Sequence, residues 1–589
     1  MRLIVTEKLS VAASICSAIG VREEHKHDGY IEGDGIIATW CLGHLVEMAP
    51  PESYGEQYRK WSYGDLPIIP DRWKYQIKQA TKKQFSTVKR LMNRHDVTEV
   101  ICGTDAGREG ELIFRLVYNE AGCRKPYKRL WISSMEEAAI RHGMDNLKPG
   151  SDYDSLYEAA LCRAKADWLI GMNGTRLFSV LYKGKVKKVG RVQTPTLAMI
   201  VDRDAEIAGF RKSRYYVVEI EAAGIRIRSE RHATREEAEV LLAGFKGHEI
   251  RVKSVMVKEA KASPPQLFDL TSLQREANRM FGFTAKQTLD CLQSLYEKKL
   301  ATYPRTDSRY LTDDMGSSMG NLLSIVKGRT GMGDEKPEIN RVLNSLKVSD
   351  HHAVIITPEV ARTSTDEIPD SEKKVLGLIM LRMAEATAKE SVVIRTEAEL
   401  ECSGSVFKIT YDEPKQMGFK AYTEQFRLEH GIKKTGTPSP DRKLKMGDII
   451  PPDEWKGEVK EDATRPAQHF TESTLLASME KAGADETSKD AERRGLGTPA
   501  TRADIIEKLI HDGYVKRVGK RLEATDEGNR LITVLPDRIK SPSYTAEWEN
   551  RLAEIAKGEG SPHVFMECIE TEVRQMVGAY SSVGGDQKR

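Results

Sequence analysis

No two cysteines in this chain are spaced C-x-x-C. The eight present are scattered at positions 16, 41, 102, 123, 162, 291, 402 and 568, which argues against a zinc ribbon and a disulfide framework and fits a reducing cytoplasm. Long apolar runs are missing as well. The longest, Val375 to Met383, is broken by Arg382 and falls well short of the roughly 20 residues that span a bilayer. The opening run MRLIV ends too soon, before Glu7 and Lys8, to be a secretory h-region, and reads as a β-strand. No membrane role is expected. Internal repeats, long low-complexity tracts and a P-loop are also absent. So is an excess of one charge: 91 Lys+Arg against 88 Asp+Glu leave a net +3. Any nucleic-acid surface must therefore come from local clustering.

With 589 residues, the chain should form several domains of roughly 100 to 200 residues. Residues 1–150 alternate strand-like runs (Leu3 to Val5, Val97 to Cys102, Arg129 to Ile132) with helical stretches such as Ser10 to Ile19, an α/β pattern. Ligands of such sheets gather beyond the carboxyl ends of the strands, where Glu7 and Asp105 both fall. Tyr153 to Arg176 reads as helix, followed by a basic run. Tyr215 to Arg228 and residues 391–411 read as β-rich, and Ser263-Pro264-Pro265 as a boundary. Thr284 to Leu300 is helical, and Gly328 to Pro337 reads as an exposed loop. Beyond the Pro- and Lys-rich stretch 433–452, Thr471 to Gly483 is a capped helix. A second has Thr498 as N-cap, Pro499 at its first position and Gly513 after its end; Tyr514 to Leu522 then resembles the wing of a winged helix.

Two stretches carry chemistry. Thr104-Asp105-Ala106-Gly107-Arg108-Glu109-Gly110-Glu111 follows a strand and precedes an apolar helix, so it holds hard oxygen ligands at a sheet edge, as Mg²⁺ requires; the bland reading is a surface acidic patch. Thr302-Tyr303-Pro304-Arg305-Thr306-Asp307-Ser308 puts a phenol two residues from a guanidinium. Phenol is a poor nucleophile at its free pKa of about 10, and a nearby cation such as Arg305 would help it attack phosphorus. Tyr303 could equally be a core tyrosine. His351 and His352 read either as structural residues or as contacts to the scissile phosphate, with His351 the candidate. Lys183, Lys185, Lys187, Lys188 and Arg191, with Gly184 and Gly190 between them, fit a phosphate-gripping turn or a solvated loop. Thr498, Thr501 and Arg502 at a helix start could hold phosphate or merely cap the helix.

The acidic loop resembles a Toprim signature, and the Tyr303 segment is similar to the active-site motif of the type IA DNA topoisomerases. Lys188-Val189-Gly190-Arg191-Val192-Gln193-Thr194-Pro195 resembles that family's DNA-contacting turn. Arg163-Ala164-Lys165-Ala166-Asp167-Trp168-Leu169, His351-His352-Ala353-Val354 and Gly497-Thr498-Pro499-Ala500-Thr501-Arg502 also resemble family segments. The likeness runs nearly end to end, with the bacterial topoisomerase III subgroup nearest. One position departs: the Toprim pattern has a second Asp where this chain has Gly107.

The resemblance implies a multidomain α/β and α+β toroid. It would comprise a Rossmann-like Toprim domain (1–150), a helical DNA-binding domain with a winged-helix-like part (151–212 and 433–589), a β-rich arch (213–265 and 355–432) and a helical domain carrying the tyrosine (266–354). It implies an ATP-independent enzyme that cuts one strand through a 5′-phosphotyrosyl bond, relaxing negative supercoils or decatenating DNA. Tyr303, Arg305, Glu7, Lys8 and His351 would be catalytic, and Glu7, Asp105 and Glu109 would hold Mg²⁺. Arg163, Asp167, Trp168, Arg176, Lys188 to Gln193, Arg305, Thr498, Thr501 and Arg502 would contact single-stranded DNA. A bacterial, cytoplasmic, nucleoid-associated monomer, with a helicase or single-strand-binding protein as candidate partner, completes the expectation. The competing readings are a Toprim primase or nuclease, a tyrosine recombinase, and a non-catalytic DNA-binding subunit.

Overall fold

The computed structural model describes the chain apart from residues 22–25, 133, 134, 136, 184, 223, 335, 349, 350, 433–442, 484, 487–494 and 582–589. Gly184 of the basic run and half of the Pro- and Lys-rich stretch, residues 433–442, thus lie outside the described residues.

The N-terminal unit is a seven-stranded sheet centred on the strand Arg2–Thr6. That strand pairs in parallel with Ile36–Trp40 on one side and Glu99–Gly103 on the other, with Thr6 opposite both Trp40 and Gly103. Side chains alternate between two buried faces. Ile4 joins Val11, Ile15 and Ile140 of the helices Leu9–Ala18 and Glu137–Asp145, while Leu3 and Val5 join Phe85, Leu112 and Val117 on the opposite side. The register brings the carboxyl ends of the two central strands side by side, so Glu7 and Asp105 leave the sheet at one edge.

A second core gathers the helices Leu270–Phe281, Ala285–Glu297, Gly316–Thr330 and Asp370–Ala386 around the tyrosine segment. Two of its features differ from expectation. Gly328 does not start a loop, because the helix Gly316–Thr330 runs through it and stops at Gly331, which takes the left-handed φ of 68°. The helix Asp370–Ala386 lies in the segment expected to belong to the β-rich arch, yet its apolar residues Val375, Leu378 and Ile379 pack in the tyrosine core. Long antiparallel strands, Ile250–Ala262, Ser391–Cys402 and Ser405–Gln416, build the β-rich unit. A further core combines the helix Gln193–Gly209 with Glu472–Lys481, Pro499–His511 and the hairpin Val515–Val518/Arg521–Ala524. Gly519 turns that hairpin with a φ of 62°. No helix among the described residues is long and apolar enough to cross a membrane.

Candidate active site

Tyr303 is delivered to the sheet edge by backbone pairing. Ala301 bridges Ile356, Thr302 N donates to Ile355 O at 2.9 Å, and Thr306 Oγ1 donates to His351 O at 2.7 Å. The tyrosine segment therefore lies along the His351-to-Ile356 stretch, and the Tyr303 and His351 rings meet with centroids 4.2 Å apart. From the sheet, Lys8 Nζ donates to Tyr303 Oη and lies 3.5 Å from Glu7 Oε1 and 3.6 Å from Asp105 Oδ2. His351 Nε2, which has no hydrogen-bond partner among the described residues, lies 3.8 Å from the same Asp105 oxygen. Five residues separated by up to about 340 positions thus converge on one spot, and four of them, Lys8, Asp105, Tyr303 and His351, line a cleft of about 1060 Å³.

Local packing explains why Asp105 points here. Gly110 lies so close beneath the loop that a Cβ there would sit 2.1 Å from Asp105 O. Arg129, 1% exposed, donates to the carbonyls of Thr104 at 2.7 Å and Asp105 at 2.6 Å. Buried Glu111 pairs with Arg115 at 2.8 Å and Arg129 at 3.2 Å, so this member of the acidic loop holds the loop's shape.

Electrostatics divide the site into acid and base. Burial and the neighbouring Asp105 carboxylate push Glu7 up to about 7, against the pull of Lys8. Burial also opposes ionisation of Asp105, but His351 and Lys8 hold it well below the usual carboxylate range. Burial disfavours the Lys8 ammonium too, yet Asp105, Glu7 and Tyr303 together hold its pKa above the ordinary lysine value. Burial pushes the Tyr303 phenol up, with Lys8 pulling the other way. Two adjacent carboxylates with divergent proton affinities are a common acid–base arrangement. The helix Leu9–Ala18 begins directly after Lys8 with no side-chain cap and no acidic residue in its first turn. Its N-terminus thus adds favourable polarity for an anion.

Glu109, expected as a metal ligand, is engaged elsewhere. Its carboxylate meets His44 Nε2 at 2.8 Å and Arg163 Nη1 at 3.8 Å. Among the described residues no three His, Cys, Asp or Glu side chains form a ready metal cage. The fitting donors for a hard cation are the oxygens of Glu7 and Asp105; Mg²⁺ often takes only one or two carboxylates and keeps its waters.

Most of the residues expected to bind DNA are paired with protein groups. Arg191, 4% exposed, donates to Asp167 at 2.8 Å and Glu549 at 3.1 Å. Arg163 lies 3.8 Å from Asp167 and 3.7 Å from Glu549. Lys187 pairs with Glu527; Lys188 Nζ lies 2.6 Å from Asp512, whose other oxygen accepts from Gln193 at 3.4 Å. Among the cations of the basic run, Lys183 and Lys185 are the exposed ones. Val189 is buried under Gly174, Gly190 N donates to Thr194 Oγ1, and Val192 caps the helix Gln193–Gly209. Arg176 is buried on Tyr58 O and Glu52. Arg502 is buried on Leu496 O and Thr271. Thr498 N donates to Thr501 Oγ1 at 2.9 Å, a helix-capping arrangement. Trp168 packs edge-on against Tyr54 and Trp73. Arg305 stands exposed beside the active segment. The residues that sequence reasoning missed are His44, Tyr296, Asp512 and Glu549. Of these only His44 carried a signal, coming directly after Gly43, four residues past the strand Ile36–Trp40.

A family model described as DNA topoisomerase matches residues 151–567, and one described as Toprim domain matches residues 2–135. DNA topoisomerase 3 of Shouchella clausii is 38% identical over 603 residues, covering 98% of this chain and 80% of that protein. DNA topoisomerase 3 of Bacillus subtilis is 36% identical over 608 residues, with 98% and 81% covered. Full-length topoisomerase I from Thermotoga maritima shares the fold, with a TM-score of 0.72 at 22% identity over 98% of this chain and 90% of that one. The primase, nuclease, recombinase and binding-subunit readings account for only parts of this match. The chain, whose Toprim sheet and tyrosine segment meet at one edge, belongs to the type IA DNA topoisomerase family.

Proposed function

We propose that Tyr303 is the nucleophile of an ATP-independent strand-breaking and rejoining reaction on single-stranded DNA. The observation that carries this reading is the position of Lys8, which bonds the phenol oxygen while lying within 3.6 Å of two carboxylates of opposite proton affinity. In the forward step the phenol proton passes to solvent as the Tyr303 Oη–P bond forms and the P–O3′ bond breaks, leaving a 5′-phosphotyrosyl ester and a free 3′-hydroxyl. Glu7, protonated for part of the time near neutrality, gives its proton to the departing 3′-oxygen and takes it back on rejoining. Lys8, Arg305 and the first turn of the helix Leu9–Ala18 stabilise charge on the phosphoryl oxygens. His351 buttresses Asp105 and the tyrosine ring.

Glu7 and Asp105 would hold Mg²⁺, which when bound supplies positive charge to the phosphoryl group. The ester conserves the energy of the broken bond, so no nucleotide is needed. Relaxation of negative supercoils and decatenation are the outcomes of passing a strand through the break. A bacterial cytoplasmic setting, a monomeric enzyme and a helicase or single-strand-binding partner belong to the same reading, as does the division into Toprim, helical, arch and tyrosine domains.

Tyr303→Phe tests it, because the change removes one hydroxyl and keeps the ring. The variant should bind single-stranded oligonucleotide within about twofold of the wild type, as expected when packing is retained, yet form no adduct that survives denaturing electrophoresis. An adduct in this variant would overturn the assignment.

A further inference from the structure

The cleft beside Tyr303 is larger than bond breaking requires. Its volume of about 1060 Å³ compares with the roughly 300–1,000 Å³ of sites for compact ligands, so more than one nucleotide fits. Ser10, Ser14 and Ser17 of the helix Leu9–Ala18 line it, together with Gln293, Tyr296 and Lys299. Tyr296 stands edge-on to Tyr303, with ring centroids 5.5 Å apart and planes at 78°. Its hydroxyl lies 3.3 Å from Ser10 Oγ, and its side chain is only half-buried. Lys299, exposed, comes just after the helix Ala285–Glu297 with a φ of 60°.

Chemistry decides which arm of the cut strand can lie here. Attack by Tyr303 leaves the phosphate on the phenol, so the arm that begins with this 5′-phosphate is covalently tied to the unit carrying Tyr303. Tyr296 is part of the same unit: Leu289, Leu292 and Leu295 of its helix share a core with Leu300 and Ala301, just before Tyr303. The first nucleoside of that arm starts one phosphate away from the Tyr303 hydroxyl, within reach of the neighbouring ring. Aromatic faces stack bases of any sequence, while lysines and hydroxyls take the phosphates. We infer that this cleft holds the nucleotides immediately 3′ of the cleaved phosphodiester, with Tyr296 as the stacking partner of the first base. This inference rests on the proposed nucleophilic role of Tyr303.

The test uses an oligonucleotide whose cleavage position has been mapped with the active enzyme. Binding is then measured in the Tyr303→Phe background to versions with a base or an abasic residue just 3′ of that position. The base should strengthen binding about fivefold or more, the lower end of the range for base–aromatic stacking. Adding Tyr296→Ala should abolish that gain, and adding Tyr296→Phe, which keeps the ring, should preserve it. Absence of the gain in the parent, or its survival in Tyr296→Ala, overturns the inference. So does a uniform weakening by Tyr296→Ala for both oligonucleotides, which would mark the residue as mere packing. Failure of the Tyr303 reading is seen separately, as a covalent adduct in the Tyr303→Phe background.

Discussion

Glu7 is a buried carboxylate next to a more acidic one, so its proton is held until the pH reaches about 7. In the proposed reaction the protonated form is the acid for the 3′-oxygen, and its population falls as pH rises through that value. Single-turnover adduct formation, measured without added divalent cation, should therefore decline above about pH 7 in the wild type. In Glu7→Gln the rate should be low and flat across the same range. A wild-type profile that rises through neutrality would assign the acid elsewhere.

Glu109 makes the opposite case, that of a conspicuous carboxylate with a different job. Its two oxygens face His44 and Arg163 rather than the Glu7–Asp105 pair. These pairings suit an orienting role for Glu109. Glu109→Gln should leave the Mg²⁺ midpoint for relaxation within about twofold, whereas Asp105→Asn should raise it by about tenfold or more, the scale of losing a ligand or its close support. A tenfold shift in Glu109→Gln would restore it as a ligand.

Among the elements, the basic turn shows how charge pattern and charge exposure part company. Lys187, Lys188 and Arg191 are occupied by Glu527, Asp512, Asp167 and Glu549, leaving Lys183 and Lys185 to face solvent. Removing these two should flatten the slope of log K against log salt by about 1.4, at roughly 0.7 per phosphate contact on single strands. Lys187→Ala with Arg191→Ala should instead lower thermal stability and change the slope little. Equal slope losses in both double variants would mean that the internal ion pairs open when DNA binds.

The same turn marks the limit of what the sequence discloses. Strand ends at Glu7 and Asp105 are readable because an apolar run stops at each and, after Asp105, glycines punctuate the acidic loop. The capped helix after Thr498 and the hairpin around Gly519 are readable for similar local reasons. The partner of a cation stays hidden: Arg191 meets Glu549, 358 residues away, and nothing local in the helix Pro542–Ala556 sets that glutamate apart from its solvated neighbours. The meeting of Tyr303 with Lys8 is likewise a tertiary event. The resemblance to a known motif points to it; periodicity and spacing alone do not.

For the molecule as a whole, Glu549 ties distant parts together. It accepts from Arg108 of the Toprim unit at 2.8 Å and from Arg191 at 3.1 Å, with Arg163 at 3.7 Å. Burial works against its charge, yet these three arginines hold its pKa down to about 2. A depressed carboxylate contributes stability that is present above its unfolded pKa of about 4.3 and is lost as pH falls towards about 2, on the order of 3 kcal/mol at neutrality. Glu549→Gln should therefore melt several degrees lower than wild type at pH 7. The two melting curves should converge as pH drops from about 4.5. A gap that persists unchanged at low pH would attribute the loss to packing.

Tyr303 and its helpers belong to different bodies: the phenol hangs from the helical core, while Glu7, Lys8 and Asp105 stay on the sheet. In the proposed reaction, parting the two to let a strand through would carry the ester away from Glu7 and Lys8. Resealing would then wait until the same two surfaces meet again. The joint between the bodies would then act as an interlock, so that breakage and repair share one key.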